Sequence, residues 1–537
     1  MKTMNFYVLL FLTGLVHSHV TESLDKCVIL FKEIPGDNDF KELQKFDLTL
    51  LHKITPRTCT FKYTNDDTSL TETLAVVKSK FRDKIAELEK VKEYVDFIET
   101  NPTTTPFSGQ YPEDESNPEI ENVEKYLDFN EQNSEDESTN LVCDKYYGMG
   151  IEDAWAKGYT GKGVVIAVTD VGINTDLKDL KPNINETLSF NLMHNIKDVT
   201  PEYFHSYREV FSTTDHGNRC ASLIAAVKGN NICSAGIAYN ATIAAVKMSK
   251  VTFNHFHTFS TSDTRARSQV HEMDSIDIYS NSWALSEEFD TLDVAMREAL
   301  ETSAEDGRQG RGAIHVFPAG PYVNDLANNE YIITVSAVGQ NGSTPTKALI
   351  SSSVLTSGLH DGNTLTAKSM VTTSYGKQCV RKFAGVSAAT AQIAGIIALA
   401  LEANPDLTRA DVEDLIVHSS ESTCLVEAEN FIMNAAGLRF HIVFGFGILN
   451  ASVFVKNAAS RKIRVGTSSH TLQATNYSAD EENAYIAKFY YNCLSGECFN
   501  NCNKSKNSVK IHNVFRQIAN DFDITWWDGI SLTGLEI

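Results

Sequence analysis

The chain is short of positive charge. It has 47 lysines and arginines against 69 aspartates and glutamates in 537 residues, a net charge of −22. Nucleic-acid binders neutralise phosphates with Lys and Arg, so this balance argues against one. Acids gathered near a cleft would instead concentrate basic ligands. Long apolar runs are also missing. A spanning helix needs about 20 apolar residues, and after the N-terminal stretch the longest run, Ile393 to Leu401, stops at Glu402. No integral membrane segment is expected. The ten cysteines lack the spacing of a zinc site or of a dense disulfide scaffold.

What is present begins with Met1 and Lys2, an apolar run from Phe6 to Val16, and small or polar residues at His17 to His19. That is the plan of a secretory signal peptide over 1–19, and it predicts a secreted or secretory-pathway product. Sequons at Asn185, Asn240, Asn341, Asn450, Asn476 and Asn503 agree with that compartment. Residues 20–100 mix short apolar runs with a Lys-, Glu- and Ala-rich stretch, Leu74 to Ile98, which reads as a helix in a small α/β module. Residues 101–144 are rich in Pro, Thr, Ser, Asn and acids, the signature of a linker.

From 145 to 455 buried-strand patterns alternate with helical ones, which predicts a doubly wound parallel sheet between helices with its site at the carboxyl ends of the strands. Three residues stand out there. Asp170 follows the strand pattern Val164 to Val168, where an acid can orient an imidazole. His216 opens a helical pattern reaching Val227, where the helix dipole disfavours its charged form. Ser387 follows Gly385 and Val386 at the head of an apolar helix, where exposed N–H groups can stabilise negative charge. Each has an ordinary reading as well: loop acid, packed histidine, helix N-cap. In chain order they supply an orienting acid, a base and a nucleophile. Residues 456–537, with Cys493, Cys498 and Cys502 close together, form a separate C-terminal module.

In order and spacing, Gly158 to Gly172, His216 to Cys220, Ala238 to Ala241, Ile276 to Trp283 and Gly385 to Leu399 resemble the kexin and furin type of proprotein convertase, within the subtilisin-like serine proteases. The resemblance spans about 145–455. It implies a subtilisin-like fold, with Ser387 as nucleophile, His216 as base and Asp170 as its orienter. It implies that 20–100 is a propeptide acting as chaperone and inhibitor, and that 456–537 is a truncated or atypical P domain. It further implies a structural Ca²⁺ held by Asp179, Asn230 and the carbonyls of Val227, Ile232 and Ser234, a ligand set suited to a hard cation. A disulfide between Cys233 and Cys379, and a free thiol at Cys220, are implied in the same way. The implied substrates are proproteins or propeptides, such as hormone or neuropeptide precursors, cut after basic residues in the Golgi or secretory granules.

Several positions depart from that pattern. Pro321, in Phe317 to Pro321, stands where the family has its oxyanion Asn. Proline offers neither an amide side chain nor a backbone N–H. Removing one such donor costs on the order of 10²- to 10³-fold in turnover, unless Asn324 or a water replaces it. Glu287 and Glu288 fall on the arginine-binding acid, and Asp293 lies near another subsite acid. Val171 and Thr213, however, replace second-subsite acids, and Lys250, His255 and Thr258 replace others, which relaxes any demand for a multibasic motif. Between Asn101 and Leu141 only Lys125 is basic, so no basic pair marks a propeptide cleavage site. Two readings follow: a serine endopeptidase of reduced activity, and a catalytically impaired homologue that binds or regulates.

Overall fold

The computed structural model describes residues 26–65, 69–96, 149–202, 211–251, 258–285, 290–320, 324–339, 342, 353–360, 371–375, 379–380, 383, 385–423, 425, 430–434, 437–462, 467–472 and 489–494. They fall mainly into two compact units. The smaller comprises the N-terminal residues to Tyr94 together with Thr261–Val270 and Asp293–Ala299, and the larger holds most of the rest.

The smaller unit is built on a four-stranded antiparallel sheet in the order Leu48–Lys53, Thr58–Tyr63, Lys26–Phe31, Ile85–Lys90. One face packs Ile29, Phe31, Leu43, Phe61, Leu74 and Val77 into a core with the helices Asp37–Gln44 and Leu70–Lys80. The alternate side chains Val28 and Leu30 face the other way and pack with Ile54 on Ala266, Val294, Ala295 and Ala299. Polar groups rim that second core. His52 Nε2 lies 2.6 Å from Asp263 Oδ1, Arg57 donates to Glu298 at 3.2 Å, and Arg297 donates to both Glu87 oxygens at 2.8 Å.

The stretch Leu74 to Ile98 is not one helix. The helix ends at Lys80, and Ile85–Lys90 is a strand hydrogen-bonded to Lys26–Phe31. Its residues favour helix on propensity, but pairing with a neighbouring strand outweighs that preference.

The larger unit carries a nine-stranded sheet. Its order is Ser420–Glu421, Ile448–Leu449, Thr356–His360, Ile332–Gly339, Ile314–Pro318, Ile278–Asn281, Val165–Asp170, Thr242–Lys247, Phe190–Asn191. Every pair is parallel except that of the first two strands. This is the predicted subtilisin-like α/β sheet. Apart from the half-buried Val165, its central strands are buried throughout, as a sheet covered on both faces requires. Val165–Asp170 lies where the chain order reverses, with Thr242–Lys247 on one side and Ile278–Asn281 on the other. The carboxyl end of such a strand opens on the crevice in which open α/β sheets bind ligands.

The helix Val386–Ala403 is long and apolar enough to pass as a membrane span, yet 89 % of it is buried in the core. Helix Arg409–Ser419 is capped by a reciprocal box of Thr408 and Asp411. Of the C-terminal module, residues 456–460 complete the helix Ala451–Ser460, and the strands Thr467–Leu472 and Phe489–Leu494 pair antiparallel; apart from Arg461 and Lys462 the rest, like the leader and the acidic linker, lies outside the described residues.

Candidate active site

Asp170 is the last residue of its strand, at the reversal point of the sheet. One carboxylate oxygen accepts the Val171 N–H at 2.7 Å, and the other lies 2.8 Å from Nδ1 of His216. His216 is the first residue of the helix His216–Ala225, and both side chains are buried. Gly217 permits this approach, because a Cβ there would lie 2.2 Å from the Gly172 carbonyl oxygen. Phe383 packs edge-on against the imidazole, with centroids 5.7 Å apart.

The carboxylate fixes the imidazole proton on Nδ1, which leaves a lone pair on Nε2. That atom is buried and has no hydrogen-bond partner among the described residues. A buried polar atom left unpaired costs about 1–3 kcal/mol. Such a nitrogen is poised to accept a proton from an incoming donor. Burial disfavours the imidazolium, but the Asp170 carboxylate, with Cys220 beside the ring, outweighs it and holds His216 above the ordinary imidazole range.

Ser387 lies in the first turn of Val386–Ala403, behind Gly385, whose φ of 91° suits glycine. It is buried, and its helix packs on the His216 helix. Its hydroxyl does not reach the imidazole: it donates to the Ser282 carbonyl at 3.2 Å, and the Ser282 hydroxyl donates back to the Ser387 carbonyl at 3.2 Å. Ser282 directly follows the strand Ile278–Asn281, and Thr169, beside Asp170, hydrogen-bonds Asn281 and accepts from Trp283 Nε1 at 3.3 Å. Sequence reasoning missed this latch. Its only trace there was the position of Ser282 just past a buried strand.

Asp179 is fully buried. It accepts from the Asn230 amide at 2.8 Å and from the Thr373 hydroxyl. Burial pushes its carboxyl up to about 6, against the pull of those hydrogen bonds. Asn230 Oδ1 accepts the Ile232 N–H at 2.9 Å, and the Ser234 hydroxyl is buried without a partner among the described residues. Asp179 and Asn230 are thus brought together. A buried carboxylate beside a carboxamide and an unsatisfied polar turn fits a hard, oxygen-seeking cation. Cys233 in that turn is bonded to Cys379, and Cys220 is a buried free thiol.

The substrate acids Glu287 and Glu288, the oxyanion position Pro321 and the sequons Asn341, Asn476 and Asn503 lie outside the described residues. Asp293 is buried, and its Oδ1 accepts the Met296 N–H at 2.9 Å as a helix cap. Asn324, the candidate replacement donor, uses its Oδ1 on the Ala327 N–H at 2.9 Å. Asn240 is exposed and Asn185 half-buried. Asn450 caps the helix Ala451–Ser460, and its amide nitrogen donates to Glu421 at 3.2 Å, a bond a glycan would have to replace.

The family model described as the subtilase family matches residues 161–447. Proprotein convertase subtilisin/kexin type 6 of Rattus norvegicus is 34 % identical over 338 residues, covering 61 % of this chain and 34 % of that protein. Furin-1 of Xenopus laevis is 33 % identical, over 58 % of this chain and 40 % of its own length. Neuroendocrine convertase 2 of Drosophila melanogaster is 34 % identical, over 57 % and 47 %. The chain thus spans less than half the length of these relatives. Among solved structures, fervidolysin from Fervidobacterium pennivorans, a keratinolytic enzyme related to subtilisin, superposes with a TM-score of 0.57 at 13 % identity, over 84 % of this chain and 63 % of that one. The Aeromonas sobria serine protease in complex with its chaperone gives 0.51 at 19 %, over 59 % and 64 %. That likeness concerns the fold, and the match across 161–447, which takes in Asp170, His216 and Ser387, is what places the chain in a family. It belongs to the subtilase family.

Proposed function

We propose that this chain is a serine endopeptidase of the secretory pathway that cuts proproteins or propeptides after basic residues. The observation that carries the reading is the buried Asp170–His216 pair with Nε2 left open, on a helix packed against the one that bears Ser387. In the proposed cycle Ser387 gives up its bond to Ser282, passes its proton to Nε2 and attacks the scissile carbonyl. Asp170 stabilises the imidazolium, which then protonates the leaving amine, and water repeats the sequence to free the acid. The Ser387 N–H belongs to the first turn of its helix, whose N–H groups lack intrahelical acceptors, and it would meet the developing oxyanion.

Calcium would be held by Asp179, Asn230 and the carbonyls of Val227, Ile232 and Ser234. It would supply the charge that the buried carboxylate lacks and so stiffen the turn that carries Cys233. Residues 20–100 would act as propeptide and inhibitor, a role supported by their contacts with Asp263, Glu298 and Arg297. The triad, calcium site, subsite acids, glycans and domain boundaries are all part of this proposal.

Purified protein with and without Ser387→Ala, assayed on basic peptides with calcium, tests it. Cleavage by the first and not the second is expected; equal cleavage by both, or none by either, overturns it. Pro321 favours one alternative, a catalytically impaired homologue acting as a binding or regulatory protein. A silent wild type revived by Pro321→Asn would establish that alternative, and robust wild-type turnover would remove it.

A further inference from the structure

We propose that Asp215 is a positioning residue for His216, bracing the head of the His216 helix against the loop that leaves Asp170 and against residues 372–375. The inference rests on the reading of His216 as base. Asp215 stands at the N-cap of His216–Ala225, where an aspartate ordinarily accepts an N–H of the first turn. Its side chain makes no such bond. Oδ1 instead accepts from the Asn218 amide at 2.6 Å and from the Tyr375 N–H at 3.0 Å. Oδ2 accepts from the Ser374 hydroxyl and from Arg219 Nε at 3.4 Å. The carboxylate is fully buried, and burial raises its pKa against the pull of those four partners. Burying a charge is costly, and the proposed cycle gives this one no chemistry to do.

The geometry supplies a reason for it. His216 is the first residue of its helix, so no preceding turn holds its backbone, and Asp215 is its neighbour in the chain. Asn218, bound to Asp215, accepts the Asn174 N–H at 2.8 Å, and Asn174 lies in the loop just beyond Asp170. On the other side, residues 372–375 clasp the same helix. The Thr372 hydroxyl donates to the Arg219 carbonyl at 3.3 Å, and the Thr373 N–H to Ser222 Oγ at 2.9 Å. The 2.8 Å contact between Asp170 and His216 Nδ1 is thus held by two segments that meet on one carboxylate.

The donors decide which substitution spares the brace. The Asn218 amide and the Tyr375 N–H donate to Oδ1, so in Asp215→Asn the carboxamide oxygen stays there. Its NH₂ takes the place of Oδ2, where the Ser374 hydroxyl turns to accept it. Only the long Arg219 contact is lost. Asp215→Ala removes all four bonds.

The test uses the full chain in calcium buffer and follows kcat and KM on a basic peptide, together with the downfield NMR signal of the His216 Nδ1 proton. Asp215→Ala is expected to lower kcat by about a hundredfold with little change in KM, and to shift or erase that signal. Asp215→Asn should rescue most of the lost kcat and restore the signal. Ser374→Ala should lower kcat less, and adding it to Asp215→Ala should cost nothing further, because both act through one network. Wild-type kcat in Asp215→Ala, an equal loss in Asp215→Asn, or additive losses in the double variant would overturn the proposal. Should Asp215→Ala fail to fold, an unchanged kcat and Nδ1 signal in Ser374→Ala would overturn it instead. Lack of cleavage by every protein would count against the function proposed for Ser387, and the Nδ1 signal, which needs no turnover, would still decide the brace.

Discussion

Replacing Asp170 with Asn changes one oxygen to an NH₂, and the hydrogen bonds around it decide which one. The Val171 N–H, 2.7 Å from Oδ1, can only donate. The amide oxygen must stay on that side, so the new NH₂ faces His216 Nδ1, where the carboxylate stood at 2.8 Å. Two donors cannot share that contact, so the imidazole has to present Nδ1 as acceptor and carry its proton on Nε2. That tautomer cannot take a proton from Ser387. The same change made in a serine protease triad costs on the order of 10⁴-fold in kcat, about 5.5 kcal/mol at 1.36 kcal/mol per decade, and a loss of that size is expected in kcat/KM on a basic peptide. A second readout needs no turnover. With the carboxylate gone, burial is opposed by Cys220 alone, so the His216 titration followed by NMR should fall from its raised position. A loss under tenfold, or an unmoved His216 titration, would rule out the tautomer change.

The other predictions follow from the same structure. Because His216 is held above its ordinary range and must be neutral to act as base, the acid limb of kcat/KM should lie above pH 6.5 and climb further into the alkaline range; a limb below pH 6 contradicts this. Asp179 is raised from its unfolded value to about 6, so its contribution to stability is complete below pH 3.8 and is lost as pH rises through 6. Calcium pairs with the ionised form, so the rise in Tm on adding calcium should grow from pH 5 to pH 7, and Asp179→Asn should abolish it. Opening the Cys233–Cys379 bond, which closes a loop of 146 residues, should cost up to about 5 kcal/mol in denaturant unfolding of Cys379→Ala. Asp263 is pushed up by burial but pulled below its ordinary value by His52, Arg267 and Thr60. Its contribution is present above the unfolded carboxylate range and lost in acid. Asp263→Ala should therefore loosen the N-terminal module at neutral pH, seen as faster proteolysis of residues 26–96, with little further effect near pH 3.

Much of the site was legible because its residues sit at element ends. Asp170 closes a buried strand, His216 opens a helix, Ser387 follows a glycine, and each leaves a break in the apolar pattern. Thr408 and Asp411 were readable as a capping box for the same local reason. What could not be read depends on partners distant in the chain. Ile85–Lys90 became a strand because Lys26–Phe31 lies beside it. Helix Val294–Gly310 runs past its apolar pattern to a break at Gly307, Arg308 and Gln309, where Arg308 is fixed by Asp277 and the Leu407 carbonyl. The Ser282–Ser387 latch joins residues 105 apart, a contact with no local signature.

In the proposed cycle Ser387 is a nucleophile activated by the Asp170–His216 pair. Labelling with a fluorophosphonate in calcium buffer, followed by peptide mass spectrometry, tests it most directly. One phosphonyl group per chain is expected, on Ser387, with labelling slowed by orders of magnitude in His216→Ala. No label on Ser387, or equal labelling rates in wild type and His216→Ala, would contradict it.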